Sequence, residues 1–215
     1  MRLSPGRPRH AVVVAPHPDD EIIGAAALIA TLARRGTRVS VVIVSDGAAS
    51  HPGSRRWPRA RLIAERYRES RRALRRLGVP AGAVRCLGLP DSAVAAHRVA
   101  LTRTLRRLVR SGVDLIVAPA AADAHPDHRA VAAALHRLGG RARRLSYQVW
   151  PPQSPLRRGS RLVAMPGGAA AKRSLIRVHR TQLGAIGDDP AGFTIARHEL
   201  DAFSHPLEAY LEVRR

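Results

Sequence analysis

The chain has 215 residues, 45% of them hydrophobic and only 3% aromatic, and a formal net charge of +21. This length fits one α/β domain, and no apolar stretch approaches the ~18 residues of a membrane-spanning helix. Cys86 is the only cysteine, which excludes an intramolecular disulfide and a thiolate metal cluster and is typical of a cytoplasmic protein.

Short apolar runs alternate with helical patterns along the chain. Residues 1–10 are basic and are expected to form a flexible segment, and no clear pattern is found after residue 188. Strands are predicted at 11–15, 38–44, 84–87, 114–118, 145–150 and 161–165, and helices at 21–35, 59–77, 99–110, 128–138 and 169–183. This alternation predicts a single domain over 11–215, with a three-layer, Rossmann-like, mostly parallel sheet and helices on both faces.

Two predicted strands are followed directly by imidazole and carboxylate side chains. Because right-handed crossovers bring the carboxyl ends of parallel strands to one edge of a sheet, the two clusters are expected to meet there. The first cluster, after 11–15, contains His17, Asp19 and Asp20, and the second, after 114–118, contains His125, Asp127 and His128.

The spacing within these clusters predicts a metal site. His17 and Asp20 are three residues apart at the start of a helix, and His125 and His128 repeat that spacing. Two ligands from the first cluster and one from the second would leave a coordination position open, as in catalytic zinc sites. Imidazole and carboxylate ligands suit zinc or another divalent cation and do not choose between them. Either cluster alone is also typical of a helix N-terminus, so the occurrence of both favours the metal.

Several motifs resemble those of the PIG-L-like (LmbE-like) de-N-acetylase family. The two principal elements are P-H-P-D-D-E at 16–21 and H-P-D-H at 125–128. Weaker similarities are S-D-G at 45–47, R-x-x-E at 66–69, L-P-D at 89–91 and K-R-S-L-I-R-V-H-R-T-Q at 172–182. The resemblance covers about residues 11 to 185 in scattered motifs.

The resemblance implies a zinc-dependent N-deacetylase that removes acetate from an N-acetylglucosamine-type sugar in a glycoside, glycolipid or natural-product intermediate. His17, Asp20 and His128 would bind zinc. Asp19 would be the general base. His125 would be the general acid or oxyanion partner, and Asp127 would orient it.

The substrate-binding residues implied by the resemblance are Arg66 and Asp91, which match positions that hold sugar hydroxyls. An exposed helix arginine and a turn aspartate are equally good interpretations of these two. Asp123 stands where some sugar deacetylases carry an aromatic residue, so their glycan preference is not transferred. Glu21 is expected to be a first-turn residue favoured by the helix dipole.

Two other functions remain open at this point. The same metal site would serve a hydrolase of another amide or an ester. The net charge of +21 also fits an arginine-rich nucleic-acid-binding protein, but the arginines lie on predicted outer helix faces without aromatic residues to stack on bases. A nucleic-acid partner is therefore not favoured, and the expected partner is a small N-acetylated sugar. The composition of the chain does not predict its oligomeric state.

Overall fold

One seven-stranded sheet organises the computed structural model, which describes residues 3, 6–109, 112–152 and 159–213. The strands are β1 His10–Ala15, β2 Arg38–Ser45, β3 Val84–Leu89, β4 Leu115–Pro119, β5 Arg143–Tyr147, β6 Arg161–Ala164 and β7 Leu207–Glu212. Their order is β3-β2-β1-β4-β5-β7-β6, with β1 to β5 parallel and β7 antiparallel to both of its neighbours. The predicted Rossmann-like, mostly parallel sheet is confirmed.

Helices cover both faces of this sheet. They are α1 Asp20–Arg34, α2 Arg59–Arg76, α3 Arg98–Leu108, α4 Pro126–His136, α5 Gly168–Ile176 and α6 Arg197–Phe203. Val13 of β1 packs in the apolar layer that contains α1, whereas Val12 and Val14 pack in the layer that contains α3 and α4. A strand buried on both faces reads as a continuous apolar run, which is why β1 was identifiable. Among the described helices, none has the length and apolarity to cross a bilayer.

Several predicted boundaries differ from the structure. The strand predicted at 145–150 ends at Tyr147, because the Asp123 carboxylate accepts the N–H groups of Val149 and Trp150. The helix predicted at 169–183 ends at Ile176, and a short 3₁₀ helix follows at Arg180–Gln182. The predicted helix end at residue 110 lies outside the described part of the chain.

The two ends of the chain also contribute to the fold. Within the predicted N-terminal segment, Leu3 is buried and its N–H donates to the Leu162 carbonyl at 2.8 Å, and His10 already belongs to β1. After residue 188 the chain forms α6 and β7, and β7 lies between β5 and β6. Strand β7 gave no clear signal because one of its buried positions is a glutamate, Glu208.

A buried ion pair connects this last strand to α1 and α5. Lys172, the only lysine, pairs with Glu208, and both are buried. Lys172 Nζ also donates to the Ile23 carbonyl at 2.9 Å, while Glu208 Oε1 accepts the Ala27 N–H at 2.9 Å. Ile23 and Ala27 lie one helical turn apart in α1. The ion pair therefore contacts both ends of that turn.

Replacing Lys172 by alanine is expected to destabilise the protein by about 3–5 kcal/mol, because Glu208 would stay buried without its counter-charge. The free energy of unfolding in urea measures this effect. The neighbouring Arg173 provides a matched control, since its pair with Asp201 is largely exposed, and Arg173→Ala should cost less than ~1 kcal/mol. Equal losses in the two variants would contradict a structural role for the buried pair.

Candidate active site

The site forms where β1 and β4 end side by side. These strands pair in parallel, with Val13 opposite Val117, so the loops that follow them leave the same edge of the sheet. Asp19 is the N-cap residue of α1, and His125 is the N-cap residue of α4, where its Nδ1 accepts the Asp127 N–H at 3.2 Å. The sheet topology thus brings the two predicted clusters together.

Three side-chain atoms form a compact triangle at the centre of the site. Asp20 Oδ2 lies 3.1 Å from His17 Nδ1 and 3.1 Å from His128 Nε2, and those two nitrogens are 3.3 Å apart. Ligands ~2.0–2.1 Å from a tetrahedral zinc ion lie about 3.3–3.4 Å from one another. The spacing and the donor types therefore fit a divalent cation held by His17, Asp20 and His128.

Carboxylates lie behind both of these imidazoles. His17 Nε2 is 3.3 Å from Asp127 Oδ2 and 3.2 Å from Asp91 Oδ1, and His128 Nδ1 is 3.2 Å from Asp123 Oδ2. Metal-binding histidines usually present their second nitrogen to such a carboxylate, which fixes the tautomer and the ring orientation. Although His17, Asp91 and Asp127 could form a second metal-binding group, their contacts match this supporting role.

The position of Asp127 corrects one expectation. Its carboxylate was predicted to orient His125, but it contacts His17 and accepts the N–H groups of Ser92 and Val94 at 2.8 and 3.2 Å. Only the backbone N–H of Asp127 reaches His125, because the side chain of a first-turn residue points away from the N-cap ring. Sequence reasoning also missed the contact of Asp123 with His128, which only the folded loop creates.

The electrostatics of the site favour a bound cation. Five buried carboxylates surround the three imidazoles, namely those of Asp19, Asp20, Asp91, Asp123 and Asp127. Burial disfavours the charged ring of His128, but the Asp20 carboxylate overrides it and raises the pKa of His128 to about 9. The contacts of His17 with Asp127 and Asp20 likewise outweigh burial and hold its pKa well above the usual value. The carboxylates therefore favour the protonated, positively charged forms of His17 and His128. A bound cation would supply this positive charge in their place.

Asp19 is held in an unusual backbone conformation beside the triangle. Its φ of 130° is rare for a residue other than glycine, and its neighbours fix it from two sides. Arg66 Nη2 donates to Asp19 Oδ2 at 3.2 Å and to the Pro18 carbonyl at 2.8 Å, while Glu21 Oε2 accepts the Asp19 N–H at 3.1 Å. Burial raises the pKa of Asp19 to about 8, although Arg66 opposes this shift. A raised pKa makes the ionised carboxylate a stronger proton acceptor, which suits a general base.

Arg66 and Asp91, which are predicted to hold sugar hydroxyls, contact other residues of the site. Both line the cavity, but Arg66 is buried and also donates to the Gly47 carbonyl at 2.6 Å, and Asp91 contacts His17 and accepts the Ala49 N–H at 3.0 Å. The structure therefore shows them as partners of Asp19 and His17. The exposed-arginine alternative is wrong for Arg66.

Glu21 has a larger role than that of a first-turn helix residue. It is fully buried, and its carboxylate binds the backbone of Asp19. Burial raises the pKa of Glu21 to about 7. The sequence signal was its place in the motif at 16–21, but nothing in the spacing indicated a bond back to residue 19.

Glu21→Leu is expected to lower kcat of the predicted deacetylation by about tenfold or more, because a buried N–H left without an acceptor costs ~1–3 kcal/mol and frees the Asp19 backbone. Glu21→Gln keeps an acceptor of the same shape and should retain most of the rate. The rate of acetate release and the metal content are measured for both variants. A Leu variant as fast as the Gln variant would contradict this role.

A cavity of about 350 Å³ opens beside the triangle. Its polar side includes His17, Asp19, Asp91 and His125, in addition to Arg66. The apolar residues of its lining include Ile23, Trp150, Phe193 and Ile195. Gln182 also lines it, and both Gln182 and His179 are buried. Asp46 caps the end of β2 by accepting the Ala48 N–H at 3.0 Å.

The sequence of this site region matches a known family. Residues 12–138, more than half of the chain, match the model of the PIG-L family, described as GlcNAc-PI de-N-acetylase. The chain belongs to the PIG-L family. The matched segment contains both clusters, so the predicted family is confirmed. No curated protein matches this PIG-L chain with significant sequence similarity.

Solved structures share the fold of this PIG-L chain over nearly its whole length. The A40926 pseudoaglycone deacetylase Dbv21 is 22% identical with a TM-score of 0.70, covering 98% of each chain. N,N'-diacetylchitobiose deacetylase from Pyrococcus horikoshii is 22% identical with a TM-score of 0.67, covering 95% of this chain and 84% of that one. The conserved protein TT1542 from Thermus thermophilus is 26% identical with a TM-score of 0.63, covering 94% of this chain and 93% of that one.

Proposed function

We propose that the protein is a metal-dependent N-deacetylase acting on an N-acetylglucosamine-type sugar in a glycoside, glycolipid or natural-product intermediate. Membership of the PIG-L family supports the reaction, and the names of the similar deacetylases support the substrate class. The observation that carries the proposal is the triangle of His17, Asp20 and His128 with the Asp19 carboxylate beside it, at the bottom of a cavity.

His17, Asp20 and His128 would hold the cation, which we take to be zinc. Two imidazoles and one carboxylate suit zinc, although such a set also accepts other divalent ions. When bound, the cation supplies Lewis-acid chemistry, polarising the acyl carbonyl and acidifying water. Asp123, Asp127 and Asp91 keep the two imidazoles in the tautomers that leave the triangle nitrogens free.

Asp19 acts as the general base. Among the described residues, Arg66 engages Asp19 Oδ2 and none hydrogen-bonds to Oδ1, so Oδ1 can take the proton of the attacking water. The Arg66 guanidinium and the Glu21 carboxylate restrict Asp19 to one position. A base held in place in this way needs little reorganisation in the transition state.

His125 stabilises the oxyanion by donating a hydrogen bond from its ring. Its Nδ1 accepts the Asp127 N–H, so the proton of the neutral ring lies on Nε2. Burial lowers the pKa of His125 and so favours the neutral ring. The neutral ring donates its Nε2 proton in a hydrogen bond to the developing oxyanion. As the C–N bond breaks, the carbonyl carbon keeps the hydroxyl from water and the amine nitrogen takes the proton that Asp19 removed from that water, giving a free amine and acetic acid, which ionises to acetate.

A screen for acetate release tests this function. The purified protein is stripped with a chelator, reloaded with zinc, and assayed on N-acetyl sugars, other amides and esters. Release from N-acetylglucosamine derivatives that depends on the added metal is the expected result. Hydrolysis confined to esters or to unrelated amides would overturn the proposal. The cytoplasmic location stays a prediction.

A further inference from the structure

We propose that the substrate carries an apolar group, aromatic or alkyl, next to its N-acyl sugar, and that Trp150 and Phe193 bind this group. The inference rests on the proposed function and narrows its substrate class. It starts from the aromatic residues, which are only 3% of this chain. Despite that scarcity, these two line the cavity above the triangle.

Trp150 has a fixed position relative to the candidate metal ligands. Asp123 Oδ2 accepts the Trp150 N–H at 3.1 Å and lies 3.2 Å from His128 Nδ1, so one carboxylate joins the aromatic residue to the triangle. Edge contacts with Phe203 at 5.3 Å and Phe193 at 6.1 Å between ring centroids hold the indole on both sides. Trp150 therefore forms a rigid wall for whatever binds at the triangle.

Phe193 is 40% exposed even though the segment that carries it is well anchored. Its N–H donates to the Ser50 carbonyl at 2.6 Å, and two residues later the Ile195 N–H donates to the Gln182 carbonyl at 2.9 Å. Asp189 of the same segment accepts the Gly53 N–H at 2.9 Å. An exposed phenyl ring on a fixed backbone leaves apolar surface facing solvent, which a ligand can cover.

The chemistry of this wall favours an uncharged group. Ile23, Trp150, Phe193 and Ile195 have no charge, and the only guanidinium among the described lining residues, that of Arg66, already donates to Pro18, Gly47 and Asp19. Only Nε of the Arg66 guanidinium lacks a partner, and it is buried, so among the described lining residues a phosphate attached to the sugar would find no accessible cation. An apolar substituent fits this lining better than an anionic one.

The apolar group could be the aglycone or a longer N-acyl chain, and the test separates these sources. Dissociation constants of N-acetylglucosamine, its phenyl glycoside, its 1-phosphate and N-hexanoylglucosamine are measured by calorimetry on zinc-loaded Asp19→Asn protein, which binds without turnover. The phenyl glycoside or the hexanoyl compound should bind about tenfold more tightly than N-acetylglucosamine, which corresponds to about 1.4 kcal/mol. Tighter binding of the phenyl glycoside would identify the apolar group as the aglycone, and tighter binding of the hexanoyl compound would identify it as the N-acyl chain.

Adding Phe193→Ser should abolish this gain and leave the affinity for N-acetylglucosamine within about twofold. Leu207→Ser is the matched control, because Leu207 is a similarly exposed hydrophobic residue, at 43%, and does not line this cavity. Any of three results would overturn the inference. These are tightest binding of the 1-phosphate, no gain in affinity for the phenyl glycoside or the hexanoyl compound, and a gain in affinity that persists in Phe193→Ser. Acetate release by the unmodified protein is measured separately, so a failure of the proposed function is recognised independently.

Discussion

Asp19→Asn should lower kcat for acetate release by about 10³-fold while leaving the metal content unchanged. Asparagine has the shape of aspartate, tolerates the positive φ found here and can still accept the Arg66 hydrogen bond, but it cannot take a proton. The loss should therefore appear in kcat, with little change in KM. Initial rates and elemental analysis of the same preparation give both quantities.

Asp201→Asn is the control for this experiment, since it makes the same chemical change in an exposed residue of α6 that contacts Arg173. Its rate should equal that of the unmodified protein. An Asp19→Asn protein with its metal and its full rate would show that another group accepts the proton. Loss of the metal in that variant would instead make Asp19 a ligand.

His128→Ala is expected to lose the metal and, with it, the activity. The imidazole is one corner of the triangle and is completely buried, so alanine leaves a gap that Asp20 and His17 do not close. The metal affinity should fall by more than the ~100-fold that removal of a supporting carboxylate can cause. Competition with a zinc-binding dye measures the dissociation constant directly and does not depend on knowing the substrate.

His136→Ala provides the comparison, because His136 lies on the same helix, α4, but is exposed. It should bind metal as the unmodified protein does. Circular dichroism of both variants establishes that α4 is intact. Unchanged zinc affinity in His128→Ala would exclude the proposed ligand set.

The fold and the central triangle could be predicted because their signals are local. Strand β1 is a continuous apolar run, and His17 and Asp20 follow it within one turn of helix. The handedness of β-α-β connections then places His128 beside them. These steps need only short-range patterns and one general rule, and they bring the two clusters together, whereas the choice of His17, Asp20 and His128 as the ligands came from the family resemblance.

The rest of the site depends on contacts that no local pattern encodes. Asp123 meets His128 and the backbone of Trp150 only because the loop after β4 turns back, and Arg66 reaches Asp19 from α2. Phe193 belongs to the part of the chain after residue 188, where the hydropathy pattern predicted neither a helix nor a strand. Side chains that position other groups are set by tertiary structure, so the sequence suggested substrate contacts for Arg66 where the structure shows a contact with Asp19.

The contact of Glu208 with α1 bears on how the protein is synthesised. The Ala27 N–H and the Glu208 carboxylate are 181 residues apart in the chain. Helix α1 begins at the candidate metal ligand Asp20, so its packing is completed only after Glu208, far later in the chain, has been synthesised. Such long-range closure is slow compared with helix formation. A nascent chain that has not yet reached Glu208 would therefore contain every proposed catalytic residue before the helix that carries Asp20 is fully supported.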